Sequence, residues 1–150
     1  MSHAELRDLY RELILDHSRK PRHFGRLNDA THKADGINPL CGDKLRLYLK
    51  IDSGRIESSS FEGTGCAISV ASASLMTDAI EGMSVESAES CFAVVTDRLT
   101  GGASQLDVEL EKLAALEGVR EYPSRVKCAT LAWHALHAAL TDNPTPATTE

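Results

Sequence analysis

Apolar and polar residues alternate most regularly in residues 44–51 of the chain. The apolar positions of this run are Leu45, Leu47, Leu49 and Ile51. A period of two predicts a β-strand with one buried face and one face in water. Residues 52–54 have the composition of a turn, so residues 55–62 are predicted to return as a second, antiparallel strand. Ile56 and Phe61 lie at opposite parity in that strand, which leaves a β-bulge or an early strand end open.

Five further segments have apolar residues at helical spacing, and a third strand is predicted within residues 28–38. The predicted helices are residues 2–16, 66–80, 84–101, 104–117 and 123–143. Gly118 closes the fourth of them. Ser2 with Glu5 forms a capping box for the first helix, and Ser104 with Asp107 opens the fourth. This order predicts the α+β class, with a small antiparallel β-sheet of about three strands packed against several helices.

Composition limits the range of functions. The chain has 150 residues, 16 Lys or Arg and 22 Asp or Glu, and a net charge of −6. Its length suits one compact domain, which we expect over residues 1–143, followed by a flexible tail over residues 144–150. The acidic charge disfavours nucleic acid as a partner, and no apolar run approaches the roughly 20 residues that cross a membrane. The polar N-terminus indicates no signal peptide, so we expect a cytoplasmic protein whose four cysteines serve metal binding or thiol chemistry.

Three of the four cysteines share a local setting. Cys41 lies in a turn before the clearest strand, Cys66 at the predicted start of a helix, and Cys128 near the start of the last helix. Unpaired N–H groups at a helix start stabilise a thiolate, and Arg125 and Lys127 add positive charge beside Cys128. We therefore expect lowered thiol pKa values and thiols that could converge on one metal ion.

A carboxylate completes this candidate site. Asp43 follows Cys41 by two residues, and zinc accepts both thiolates and carboxylates in four-coordinate sites. With Cys66 and Cys128 the set would number four ligands. The spacing alone leaves open the alternative of three unrelated free cysteines. Cys91 lies on an apolar helical stripe and is predicted to pack in the core.

Four segments of the chain resemble motifs of the IscU/SufU family. They are residues 16–25 (DHSRKPRHFG), 38–43 (NPLCGD), 63–69 (GTGCAIS) and 125–131 (RVKCATL). The motifs stand in the family's order, and the resemblance covers about residues 5–140. It implies a SufE/IscU-like fold and a role in iron–sulfur cluster assembly. In the first motif we expect His17 and His23 to shape the turn at Pro21.

Three departures make the chain more similar to SufU than to the IscU scaffolds. Lys127 stands where IscU proteins usually have a histidine. Residues 122–127 reproduce poorly the Leu-Pro-Pro-Val-Lys segment that binds a chaperone in IscU. Residues 104–117 look like the insertion found in SufU proteins.

The resemblance to SufU implies a zinc-dependent sulfurtransferase. Such a protein takes persulfide sulfur from a SufS-type cysteine desulfurase and passes it to downstream iron–sulfur assembly proteins. It implies Cys41, Asp43, Cys66 and Cys128 as Zn²⁺ ligands and Cys41 as the sulfur acceptor. Arg125 has two interpretations: it pairs with Asp43 when that carboxylate leaves the metal, or it is a solvated arginine at the start of the helix. Two alternatives stay open: an IscU-like scaffold that holds iron or a labile [2Fe–2S] cluster, and a structural zinc module that docks a partner.

Overall fold

The computed structural model describes residues 3–105, 108–120, 122–143 and 145–149. The α-helices in this part of the chain are α1 His3–Arg19, α2 Ala67–Ile80, α3 Val85–Leu99 and α4 Pro123–Leu140. The strands are β1 His32–Asn38, β2 Asp43–Asp52, β3 Arg55–Thr64 and β4 Ala147–Thr148, and a 3₁₀ helix covers Val108–Val119. The predicted α+β class is confirmed. None of the described helices is both long and apolar enough to cross a membrane.

The sheet has the strand order β3-β2-β1-β4. β1 and β3 both run antiparallel to β2, as the alternation in residues 44–51 predicts. The described sheet has one strand more than the expected three, because β4 pairs in parallel with Gly36 and Ile37 of β1. β4 lies within the segment that the sequence assigns to a tail. The domain boundary at residue 143 stays a prediction.

A change of register reconciles the two apolar parities of β3. Lys50 of β2 pairs with Ser58, whereas the next residue of β2 pairs with Ile56, so β3 contains one extra residue at this point. Ile56 and Phe61 are therefore both buried. The bulge is confirmed and the early strand end is wrong, since β3 continues to Thr64.

The helices form a layer on one face of the sheet. α4 packs on β1 and β2, α2 packs on β3, and α1 and α3 pack against α2 and α4 respectively. Trp133 of α4 is fully buried, and its Nε1–H donates to Ser72 Oγ of α2 over 3.1 Å. The Ser72 hydroxyl in turn donates to the carbonyl oxygen of Ala129 over 2.5 Å. These bonds join α2 to α4, which carries one of the candidate cysteines.

The segment after α1 is tied to α2 by a buried histidine. His17 is only 2% exposed, and its Nδ1 lies 2.7 Å from Ser74 Oγ. The backbone N–H of Arg22 donates to the same hydroxyl oxygen over 2.8 Å, so Ser74 joins both α1 and the segment after it to α2. Burial is the main cause that lowers the pKa of His17. His23 has a positive φ of 57° and lies within ion-pair distance of Asp78. These contacts tie the segment around Pro21 to α2, and the role of both histidines in shaping its turn stays a prediction.

Two predicted helix boundaries need correction. α1 continues to Arg19 instead of ending at residue 16, because its last turn buries His17 against α2. Ser104 does not cap a helix; its hydroxyl donates to Asp97 Oδ2 over 2.5 Å, and the helical segment is the 3₁₀ helix that ends at Val119. The Ser2 capping box and Asp107 lie outside the described residues.

Candidate metal centre

A hairpin loop and a helix bring three candidate ligands together. Cys41 lies in the four-residue loop between β1 and β2, Asp43 is the first residue of β2, and Cys128 lies near the start of α4. One ligand atom of each residue lies within 4.8 Å of the other two, and the sulfur atoms of Cys41 and Cys128 are 3.5 Å apart. Among the four cysteines, all of which are described, Cys41 alone is exposed.

The hairpin explains how an exposed thiol and a buried carboxylate stand so close. Asn38 and Asp43 pair across the end of the β1–β2 ladder, which closes the loop of residues 39–42. Gly42 has a φ of +73°, a left-handed conformation that glycine adopts without steric cost. The chain therefore turns outward at Cys41 and returns inward at Asp43, which is fully buried.

The start of α2 holds the carboxylate of Asp43. Cys66 is the N-cap residue of α2, and its backbone N–H donates to Asp43 Oδ1 over 2.9 Å. Gly65 permits this approach, because a Cβ atom at that position would lie 2.8 Å from Asp43 Oδ1. The thiol of Cys66 is half-buried and close enough to Cys128 to influence its ionisation.

The electrostatics of Cys128 differ from the sequence-based expectation. Burial, together with the side chains of Asp43, Cys41 and Cys66, raises the pKa of Cys128 above its ordinary value. The expected lowering by the helix start is wrong for this thiol, because burial disfavours the thiolate and its neighbours are acidic groups. A metal cation bound among these groups would lower the pKa of Cys128 instead, since a thiol that coordinates a metal is deprotonated.

The donor set fits a zinc ion. Two thiolates at 2.3 Å from a tetrahedral zinc lie about 3.8 Å apart, close to the 3.5 Å between the sulfur atoms of Cys41 and Cys128. Asp43 supplies an oxygen ligand, and the backbone of Cys66 contacts it, whereas the Cys66 thiol is not among the three ligand groups that lie within 4.8 Å of one another. Thiolate ligands suit iron as well, so the geometry accommodates both metals.

The basic residues of α4 do not contact the carboxylate. Arg125 is exposed in the first turn of α4, and Lys127 is half-buried. Among the described residues no ion pair joins either of them to Asp43. The proposed pairing of Arg125 with Asp43 thus requires a different arrangement of the site.

The side chain of Asn38, a residue without a predicted role, also contacts the site. Its Nδ2 lies 3.4 Å from Asp43 Oδ2 and 3.6 Å from Cys128 Sγ. A polar residue at an inward-facing position of β1 is the signal that could have identified it, because Ala34 and Gly36 precede it at the same parity.

Cys91 takes no part in the site. It is 3% exposed and packs in the hydrophobic core, as predicted. Desolvation raises the pKa of Cys91 to about 11, so its thiol stays protonated at neutral pH.

Comparison with known proteins places this geometry in a family. Residues 9–148 match the family described as the NifU-like N terminal domain. The zinc-dependent sulfurtransferase SufU of Bacillus subtilis (strain 168) is 46% identical over 133 residues, which cover 89% of this chain and 90% of that protein. The iron–sulfur cluster assembly scaffold protein IscU of Streptococcus pyogenes serotype M1 is 40% identical over 93% of this chain and 87% of its own length.

A solved structure agrees with these relatives. The crystal structure of an iron–sulfur cluster assembly scaffold protein of the SUF system from Fervidobacterium islandicum AW-1 superposes with a TM-score of 0.79. The two chains are 33% identical, and the match covers 86% of this chain and 94% of the other. The resemblance inferred from the cysteine motifs is confirmed, and the chain belongs to the NifU-like N-terminal domain family.

Proposed function

We propose that this chain is a zinc-dependent sulfurtransferase of iron–sulfur cluster biogenesis, with Cys41 as the sulfur acceptor. The observation that carries the proposal is the pairing of an exposed thiol with a buried donor set. Cys41 is accessible from outside, while its sulfur lies 3.5 Å from that of buried Cys128. The 46% identity to a zinc-dependent sulfurtransferase supports the same function.

Four side chains would hold the zinc. We assign Cys41, Asp43 and Cys128 as ligands because their ligand atoms lie within 4.8 Å of one another. Cys66, whose thiol lies outside that group, is our candidate for the fourth ligand because it begins α2 and its backbone N–H holds Asp43. Zinc would keep the thiols as thiolates at neutral pH, despite the burial that raises the pKa of Cys128. The carboxylate is the harder ligand beside the thiolates and therefore the one most readily exchanged.

The transfer step needs a thiolate that a second protein can reach. The Cys41 thiolate attacks the outer sulfur of a cysteine persulfide on the donor. A new S–S bond forms to Cys41 as the S–S bond of the donor breaks, and the donor cysteine leaves as a thiolate, so no external oxidant or reductant is consumed. Cys41 and the neighbouring Leu40, which is 69% exposed, both lie at the surface, where a second protein can approach.

We assign a SufS-type cysteine desulfurase as the donor and iron–sulfur assembly proteins as the destination of the sulfur. Arg125 is our candidate partner for Asp43 once that carboxylate is released from the metal. Its position in the first turn of the helix that carries Cys128 supports this role, since it lies exposed on an element of the site.

Sulfur loading tests the proposal. The purified chain is incubated with a SufS-type desulfurase and cysteine, and persulfides are labelled and located by mass spectrometry. We expect loading on Cys41 in the wild-type chain, none in Cys41→Ala, and wild-type loading in Cys91→Ala, which removes a thiol outside the site. Loading of Cys41→Ala at the wild-type rate would contradict the assignment.

A scaffold for a [2Fe–2S] cluster is the second candidate function. The 40% identity to an IscU scaffold and the thiolate-rich donor set favour it. Metal analysis separates the two functions, because the sulfurtransferase would be colourless with about one zinc per chain. A brown protein with acid-labile sulfide would support the scaffold instead.

A further inference from the structure

Asn38 links the two buried ligands of the candidate metal centre. It is the last residue of β1 and pairs with Asp43, the first residue of β2. Its side chain is fully buried, and the same Nδ2 donates to Asp43 Oδ2 over 3.4 Å and to Cys128 Sγ over 3.6 Å. One amide thus bridges a carboxylate on the sheet and a thiol on α4.

The other half of this amide has no partner. Oδ1 of Asn38 is buried and accepts no hydrogen bond from any described residue. An unpaired buried carbonyl group destabilises a fold, and an apolar side chain of the same size would avoid that cost. Packing therefore does not explain an asparagine at this position, whereas the contacts of its N–H groups do.

The N–H groups of Asn38 and Cys66 can offset the negative charge of the donor set. Three thiolates and one carboxylate around Zn²⁺ sum to a net charge of −2, and no described ion pair brings a basic side chain to Asp43. The carboxylate receives the Cys66 N–H on Oδ1 and the Asn38 amide on Oδ2. Donors of this kind orient metal ligands and offset their charge.

We propose that Asn38 is a positioning residue of the metal centre. Its amide holds the Asp43 carboxylate at a set distance from the Cys128 sulfur, so that both can bind one ion. Asn38 acts through these two ligands and does not contact the transferred sulfur. This inference rests on the proposed function, since it deepens the account of the same site.

Metal titration of the metal-free chain tests the role of Asn38. Asn38→Leu keeps the number and branching of the side-chain heavy atoms without a donor, and Asn38→Ala removes the donor and leaves a cavity. We expect both variants to bind Zn²⁺ about 10- to 100-fold more weakly in competition with a chelator. With Co²⁺ as the probe, we expect a 1:1 complex whose ligand-field bands are shifted from those of the wild type. The melting temperature of metal-free Asn38→Leu should change little, because the loss of the unpaired Oδ1 acceptor offsets the loss of the donor to Asp43.

Ser59→Ala is the matched control. Ser59 is a buried residue of β3 whose hydroxyl donates to the Thr77 carbonyl over 3.0 Å, away from the cysteines. We expect this variant to melt at a lower temperature and to bind zinc like the wild type. Zinc affinity of Asn38→Leu within twofold of wild type, with an unchanged cobalt spectrum, would overturn the proposal. A loss of zinc affinity that only parallels a loss of metal-free stability would overturn it too.

Sulfur loading of the wild-type chain is measured separately. A wild-type chain that takes no sulfur from the desulfurase would defeat the proposed function. The zinc and cobalt measurements would still decide whether Asn38 positions the ligands.

Discussion

The backbone N–H of Cys66 donates to Asp43 Oδ1 over 2.9 Å, which ties the start of α2 to the first residue of β2. A helix start offers N–H groups without intrahelical partners, and a buried carboxylate needs donors, so each group satisfies the other. This bond makes the position of a candidate metal ligand depend on how α2 begins.

Replacement of Gly65 by alanine should weaken metal binding. The added Cβ would lie 2.8 Å from Asp43 Oδ1 and would force the carboxylate or the start of α2 to move. We expect zinc affinity to fall about 10-fold or more, because the displaced carboxylate no longer meets the thiolates. Competition with a chromophoric chelator measures the change.

Gly118→Ala is the control for this substitution. Gly118 lies in the 3₁₀ helix, and a Cβ there would meet nothing within 4 Å. Its zinc affinity should match the wild type. Equal affinities for Gly65→Ala and the wild type would show that the site tolerates the displacement and would contradict the prediction.

Protonation of His17 should destabilise the fold at acidic pH. Burial holds the pKa of His17 below the ordinary 6.5, so the unfolded chain takes up the proton first as the pH falls. The unfolded state then binds more protons than the native state, and the stability supplied by neutral His17 is lost below pH 6.5. We expect the stability advantage of the wild type over His17→Gln to shrink by about 1 kcal/mol between pH 7.5 and 5.5.

Urea unfolding of the metal-free chains in the presence of a chelator measures this difference. Burial also lowers the pKa of His134, but that residue is present in both proteins and its effect cancels. An advantage that stays constant between the two pH values would contradict the assignment to His17.

The ion pair between Arg98 and Glu117 should stabilise the packing of the 3₁₀ helix on α3. Nη2 of Arg98 lies 2.7 and 2.8 Å from the two carboxylate oxygens, and Nη1 donates to the Ser104 carbonyl over 2.7 Å. Both side chains are half-buried, so removal of Arg98 leaves Glu117 with only the longer contact to Arg120, at 3.5 Å. We expect Arg98→Met to lower the free energy of unfolding by about 1–3 kcal/mol, measured by urea denaturation.

Arg46→Met is the comparison for that pair. Arg46 contacts Asp35 over 2.7 Å on the exposed face of the sheet, where water competes for both charges. Its unfolding midpoint should stay near that of the wild type. If both substitutions lower the midpoint equally, burial does not explain the effect of Arg98.

Alkylation should distinguish the exposed cysteine from the core cysteine. In the metal-free chain at pH 8, we expect iodoacetamide to modify Cys41 and to leave Cys91 intact. Cys41 is exposed, whereas Cys91 is buried and its pKa is raised to about 11. Mass spectrometry of timed samples gives the order of modification, and unfolding in urea should make Cys91 reactive. Modification of Cys91 first would contradict its place in the core.

Local patterns determined most of the elements. The alternation in β2 and the helical spacing in α2, α3 and α4 depend on which face of each element is buried, and that information lies in neighbouring residues. The sequence also separated Cys91 from the other three cysteines, because an apolar stripe surrounds it. The pairing of β4 with β1 could not be predicted from local patterns. The two segments are more than a hundred residues apart, and β4 is too short to show an alternation of apolar and polar residues.

Only the tertiary structure decided how the candidate site is arranged. The motifs identify Cys41, Asp43 and Cys128, but the distances among them follow from the β1–β2 loop meeting the start of α4. The raised pKa of Cys128 and the amide of Asn38 between two ligands are likewise invisible in the sequence. Burial and hydrogen bonding depend on residues that are distant along the chain and adjacent in space, which local sequence does not specify.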